Sequence, residues 1–396
     1  MKPLPVTWFT ATSALGRGVG RHLDALRDGT IGLGACNFET VRLPTYVGDI
    51  GELPPLAPTL VAYDCRNNRL AEAGVTADGF AGAVSASIKR VGARRVALLL
   101  GTSTSGILET EQAYRDLDPL SGALPQGFRY ETVHSAYATA RYLRERLGIA
   151  GPALMISTAC SSSAKVFATA ARWIDAGLVD AAVVGGVDSL CLTTLHGFHS
   201  LQLTAPGPCR PFDATRDGIS IGEAAAFALL ERDPSADLRG GALLLGCGES
   251  SDAHHMSAPH PEGLGAQLAM RAALADAATA PASIDYLNCH GTGTPANDLA
   301  EGLAIEAVFG RDGVACSSTK GLTGHTLGAA GALEAVVCLL AIEHGLIPGG
   351  APRQAHDPRL HVDYRSRTTA APVRRAMSNS FGFGGSNCTL VFGADA

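Results

Sequence analysis

Three side chains in this sequence could together carry nucleophilic chemistry: Cys160, His290 and His325. Cys160 closes an apolar run, residues 153–159, that reads as a buried strand, and it precedes residues 161–174, which read as a helix. Small residues crowd the turn between them, so the backbone can bend sharply and present the sulfur at the helix start. Unpaired N–H groups and the positive end of the helix dipole there favour a thiolate, the reactive form. Taken alone, such a cysteine is more often a small buried hydrophobe. The two histidines change that balance. His290 opens the loop His290-Gly291-Thr292-Gly293-Thr294-Pro295, and His325 lies within Lys320–Gly331, a second stretch rich in glycine and threonine. Each loop follows a predicted strand, where α/β folds build their sites.

One cysteine with two histidines fits either a metal site or an acyl-transfer site. No H-E-x-x-H occurs, and none of the three has a second ligand at short spacing. His254, His255 and His260 cluster without an organising motif. The acyl-transfer reading explains more: a thiolate takes up an acyl group as a thioester, and two neutral imidazoles donate N–H to an enolate oxyanion. Lys320, one of four lysines, can supply positive charge; the plain alternative is a surface lysine.

The elements that must position these residues belong to an α/β protein. The chain has 396 residues, 46% of them hydrophobic and 17% charged, enough for a large core and for a duplicated domain. A net charge of -6 argues against general nucleic-acid binding. Ten cysteines are scattered with no C-x-x-C pair, which fits a reducing cytoplasm better than a disulfide framework. The N-terminus lacks an apolar signal core, and the apolar run at 336–342 is too short to span a bilayer, so a soluble protein is expected.

Short apolar strands alternate with Ala-rich helices throughout. Strands are expected at 96–100, 153–159, 181–184 and 225–230, with a helix over 135–147 capped by Ser135. Residues 206–217 read as a loop. Polar residues 233–238 mark the boundary between two halves, 1–238 with the cysteine and 239–396 with both histidines. The second half repeats the scheme: strands at 284–288, 314–317 and 389–392, helices at 298–309 and 328–344.

Four motifs in order then match a family. Thr158–Ser163, the His290 loop, Lys320–Gly331 and Asn379–Asn387 resemble the β-ketoacyl-acyl carrier protein synthases of the thiolase-fold condensing enzymes, closest to the elongating Cys-His-His type. Residues 211–218 and 251–256 add to the match, which runs from about residue 90 to the C-terminus. The resemblance implies a thiolase-like α/β fold, two βαβαβαββ halves stacked as a five-layered α-β-α-β-α core. It implies that Cys160 receives the acyl chain, with the N–H groups of Cys160 and Phe383 as oxyanion hole and Phe383 as gate. His290 and His325 would promote decarboxylation of malonyl-carrier protein and hold the enolate, which attacks the Cys160 thioester and extends the chain by two carbons.

The same resemblance gives Lys320 an ordering role, with Glu301 as its structural partner. It gives Thr292 and Thr294 to the phosphopantetheine arm, Thr104 and Phe381 to the acyl pocket, and Arg66, Arg69 and Arg210 to docking of the acidic carrier protein. No metal and no cofactor are implied beyond the carrier's own phosphopantetheine. The partners would be acyl- and malonyl-loaded carrier protein, and a second subunit in a homodimer or in a heterodimer with a chain-length factor. A thiolase would carry a second cysteine before the last glycine turn, and an initiating synthase an Asn in place of His325. A chain-length factor would lack the nucleophile. The polar Thr104 fits a specialised polyketide or polyene pathway as readily as harmless variation on a fatty acid enzyme.

Overall fold

The computed structural model describes residues 1–234 and 241–394. Five strands form the first half of its main sheet: β1 (Leu4–Ser13), β2 (Val96–Gly101), β3 (Ala153–Ile156), β4 (Ala181–Asp188) and β5 (Ala224–Glu231). The second is built on β6 (Ala242–Ser251), β7 (Tyr286–Asn288), β8 (Ala315–Ser317), β9 (Arg375–Gly382) and β10 (Ser386–Ala394), and two short strands complete the sheet, Gly16–Arg17 on β1 and Asp363–Tyr364 beside β8. The first half runs in the order β3-β2-β4-β5-β1 and the second in the order β8-β7-β9-β10-β6. Directions repeat as well. β2 is parallel to β3 and β4, and β5 antiparallel to β4 and β1. β7 is parallel to β8 and β9, and β10 antiparallel to β9 and β6. The halves join where Leu4–Val6 pair with Ala242–Leu244. Element order in the sequence points to duplication, and strand order agrees. The expected division at 238/239 falls on residues 235–240, outside the described residues.

Period-two alternation sorts the strand residues onto two faces. In β2, Val96, Leu98 and Leu100 pack outward against α1 (Arg66–Val75), α2 (Phe80–Val91) and α3 (Ala138–Leu147). Ala97 and Leu99 face inward, into the core that holds α4 (Ser162–Asp175). In the second half, Leu287, Met377 and Val391 pack outward on α5 (Leu264–Asp276) and α6 (Pro295–Phe309). Tyr286, Leu390 and Phe392 turn inward toward α7 (Ala330–His344). α4 and α7 occupy equivalent places in the two halves and pack on each other between the half-sheets, completing five layers.

With sheet on both sides, α7 has no solvent face, and residues 330–342 are all buried. That burial explains its composition: a helix apolar all round is a core helix or a membrane span. The segment Leu327–His344 passes for a span by length and composition, correcting the shorter run read at 336–342, yet it is 89% buried inside the protein.

Local differences have local causes. Residues Tyr130–His134 form a π-turn, so α3 begins at Ala138 rather than at Ser135. Ser135 caps no helix; its Oγ only accepts from the Tyr137 N–H at 3.3 Å. β9 leaves no strand signature in the sequence, because its buried Ser378, Asn379 and Ser380 break any apolar pattern.

Candidate active site

β3 ends short of Cys160, and the turn into α4 is strained: Ala159 sits at φ 51°, a left-handed conformation uncommon for alanine. The Ser162 hydroxyl holds that turn, accepting from the Thr158 N–H at 2.9 Å and donating to the Ala159 carbonyl at 2.5 Å. Cys160 therefore stands at the head of α4, buried at 6% exposure. The approach of α7 to this helix requires glycine: a Cβ on Gly331 would lie 2.6 Å from the Ala164 N.

β7 and β8 deliver the histidines. Glu301 on α6 accepts the backbone N–H groups of His290 at 2.8 Å and Gly291 at 2.7 Å, shaping the first loop. The His325 backbone is pinned by Ser220 and Gly222. His325 Nε2 lies 3.0 Å from Cys160 Sγ, and the two imidazoles meet edge to face, with ring centroids 5.3 Å apart.

The neighbours of each ring decide where its proton sits. The Leu327 N–H donates to His325 Nδ1 at 3.2 Å, and the Lys320 ammonium donates to His290 Nδ1 at 3.3 Å. Each Nδ1 is thus an acceptor, leaving Nε2 as the protonated nitrogen. Burial, reinforced by the Lys320 charge, holds both histidines well below their ordinary range, so both are neutral donors. That is the state oxyanion stabilisation needs.

The sulfur departs from expectation. Burial pushes the Cys160 thiol up to about 11, opposed by Lys320 and by the Phe383 N–H, which hydrogen-bonds the sulfur. Desolvation outweighs the helix start, and the resting group is a thiol ringed by donors. The Phe383 N–H points at that sulfur. Its ring lies 5.7 Å from that of Phe198, at the rim of a cavity of about 220 Å³. Cys160, His290, His325, Thr292, Thr294 and Phe381 also line that cavity. Thr294 serves in addition as N-cap of α6.

Some expected placements need correction. Lys320 does not pair with Glu301. Its ion-pair partner is Glu334 on α7, buried with it and pushed up to about 7 by burial against the pull of Lys320. Glu301 instead supports His290 through the backbone and accepts from Asn379 Nδ2 at 3.2 Å. Arg66, expected at the docking surface, is bound to the buried Glu223 and to Asp49. Arg69 is held in a two-pronged pair by Asp64, at 2.7 and 2.5 Å. Arg210 remains beside the cavity mouth, its backbone packed against Gly293 and its guanidinium on Thr215 and Asp217. Thr104 does not line the Cys160 cavity. It lines a separate one of about 210 Å³ with Tyr130, His134 and Ser157, and its hydroxyl donates to Asp188 at 2.7 Å. Glu334 escaped the sequence reading although it is the one charge within the apolar stretch 330–342, a legible signal.

The duplicated fold, with a cysteine at a helix start and two neutral histidines converging on it, defines a thiolase-fold condensing enzyme. The β-ketoacyl synthase N-terminal domain matches residues 70–236, and the β-ketoacyl synthase C-terminal domain matches residues 241–352. The chain belongs to the β-ketoacyl synthase family.

Nodulation protein E of Rhizobium meliloti (strain 1021) is 38% identical over 307 residues, 76% of each chain. The mitochondrial 3-oxoacyl-[acyl-carrier-protein] synthase of Arabidopsis thaliana is 40% identical over 264 residues, 62% of this chain and 57% of that protein. Among solved structures, a ketosynthase from Xenorhabdus doucetiae, in complex with its chain length factor, superposes with a TM-score of 0.90. It is 38% identical, with 99% of this chain and 98% of that one covered. A β-ketoacyl synthase from Burkholderia phymatum STM815 gives 0.86 at 27% identity, with both chains covered in full. The chain is an acyltransferase that lengthens an acyl chain by two carbons through decarboxylative Claisen condensation.

Proposed function

We propose that Cys160, His290 and His325 carry that condensation as follows. The Cys160 sulfur attacks the thioester of an acyl-carrier protein, the carbonyl oxygen resting on the N–H groups of Cys160 and Phe383. The carrier thiol leaves with the cysteine's proton. Malonyl-carrier protein then loses CO2, and the enolate oxygen is held by the Nε2–H groups of His290 and His325. The enolate carbon attacks the Cys160 thioester, and collapse expels the Cys160 thiolate, which takes a proton from solvent, and releases a β-ketoacyl chain on the carrier. Removing one oxyanion donor typically costs about 2.7–4 kcal/mol in the barrier. The observation that carries this reading is the capping of both Nδ1 atoms, which makes the imidazoles donors rather than bases. Cys160, His290 and His325 place their ligand atoms within 4.8 Å of one another, as a metal site would. The buried Lys320 ammonium against His290 opposes a cation there.

The same proposal makes this chain the catalytic subunit of a heterodimer with a chain-length-factor-like partner, in a cytoplasmic type II polyketide pathway. It is supported by the end-to-end likeness to a ketosynthase solved with such a partner, and by the edge strand β3, which pairs on one side only and keeps all four residues half-buried. Ten free cysteines suit a reducing compartment.

The test is intact-protein mass spectrometry after mixing with a panel of acyl-carrier proteins, with Cys160→Ala as control, alone and beside the co-expressed partner. Acylation confined to wild type, with condensation needing the partner, is the expected result. Acylation of the Cys160→Ala variant would refute the nucleophile, and a fully active homodimer would refute the heterodimer.

A further inference from the structure

Asp188, the last residue of β4, is fully buried, and among the described residues no cation pairs with it. Hydrogen-bond donors surround it instead. The carboxylate accepts from the Thr102 hydroxyl at 2.7 Å, from the N–H and hydroxyl of Ser103 at 2.8 Å each, and from the N–H and hydroxyl of Thr104 at 2.8 and 2.7 Å. A sixth donor comes from a different loop: the Gly328 N–H, at 2.6 Å. A buried carboxylate without a cation is costly and persists where several donors converge on it.

Gly328 lies three residues beyond His325, in the turn that sets that imidazole's tautomer. Leu327 is held in the left-handed region at φ 53°, an unfavourable place for a branched side chain. Two consecutive N–H groups leave this turn: that of Leu327 goes to His325 Nδ1 at 3.2 Å, and that of Gly328 to Asp188. A relaxed turn would move both together. Space is closed as well, since a Cβ on Gly328 would stand 2.6 Å from Asp188 Oδ2 and 2.9 Å from the Ser103 N.

We propose that Asp188 is a positioning residue for His325: by holding the Gly328 N–H it locks the strained Leu327 turn, and so keeps the imidazole proton on Nε2, facing Cys160. The proposal rests on the donor role of His325 given above. Asp188→Asn turns an amide NH2 toward N–H and O–H donors and surrenders the contact. Gly328→Ala forces the turn away from an intact carboxylate.

The test combines steady-state kinetics with NMR of histidine-labelled protein, the His325 signal being assigned by its loss in His325→Ala. Wild type should show a single Nε2–H tautomer at His325. In each variant we expect a mixture of tautomers and a fall in kcat of about a hundredfold, the scale of a misplaced catalytic group. KM for malonyl-carrier protein should stay within about threefold. The double variant should be no slower than the slower single one, because both changes break one contact. A slow variant whose His325 tautomer is unchanged would overturn the proposal, as would an unchanged kcat. Should Asp188→Asn not fold, Gly328→Ala decides alone. The tautomer readout needs no turnover, so an inactive wild type would count against the proposed function and leave this test standing.

Discussion

Glu301 offers a prediction whose size follows from its surroundings. It is fully buried beneath the His290 loop, accepts two backbone N–H groups, and is pushed by burial from 4.5 up to about 7. Between those two pH values the folded protein keeps a proton on this carboxyl that the unfolded chain has lost. A raised carboxyl pKa adds stability that is complete below 4.5 and lost as pH rises through 7. At 1.36 kcal/mol per pH unit the interval amounts to about 3 kcal/mol. Glu301→Gln cannot titrate, so comparing it with wild type cancels every other ionisable group. An unfolding entropy of about 2.1 cal/mol/K per residue gives this chain about 0.8 kcal/mol/K, which converts 3 kcal/mol into about 4 °C.

The assay is thermal unfolding of both proteins from pH 4 to pH 8. The fixed cost of losing one carboxylate acceptor shifts the whole curve and leaves the trend intact. Wild type should lose about 4 °C relative to Glu301→Gln as pH rises. A pH-independent difference, or a wild type that gains on the variant, would show that the two N–H groups outweigh burial, and the reasoning about this loop would fail.

Three further outcomes are expected. Iodoacetamide alkylation of Cys160, followed by peptide mass spectrometry, should accelerate about tenfold per pH unit from pH 7 to pH 10, because the thiol is held up to about 11; a plateau below pH 8.5 would mean that the helix start and Lys320 overcome desolvation. Lys320→Met removes a charge that holds His290 and His325 low, so the acid limb of kcat/KM should move up toward pH 6.5; an unmoved limb would assign the depression to burial alone. Gly101→Ala drives a Cβ into the Ser163 N, against backbone that cannot yield, and should cost about 3 kcal/mol in stability read from a denaturation midpoint while displacing the helix that Cys160 heads. A stability within about 0.5 kcal/mol of wild type, the scale of ordinary surface substitutions, would show that the contact relaxes freely.

Some features were legible in the sequence because their causes are local. Small residues between an apolar strand and an Ala-rich helix mark a tight turn with a cysteine at its tip, and Cys160 stands at the head of that helix. Glycine and threonine around His290 and His325 mark loops at strand ends, and both loops reach the site. Alternation of strand and helix signalled the duplicated α/β class. Partners were decided by packing. Lys320 lies nineteen residues after Glu301 and fourteen before Glu334, and neither spacing says which carboxylate it meets. The packing of α7 between the half-sheets makes it Glu334. Arg66 reads as a surface charge until the fold sets Glu223, from a different part of the first half, against it. The sequence does not say that the end of β4 draws the Thr104 hydroxyl to Asp188. A motif fixes residue types at short range, whereas burial, protonation state and long-range pairing depend on which elements the order β3-β2-β4-β5-β1 and its counterpart in the second half bring side by side.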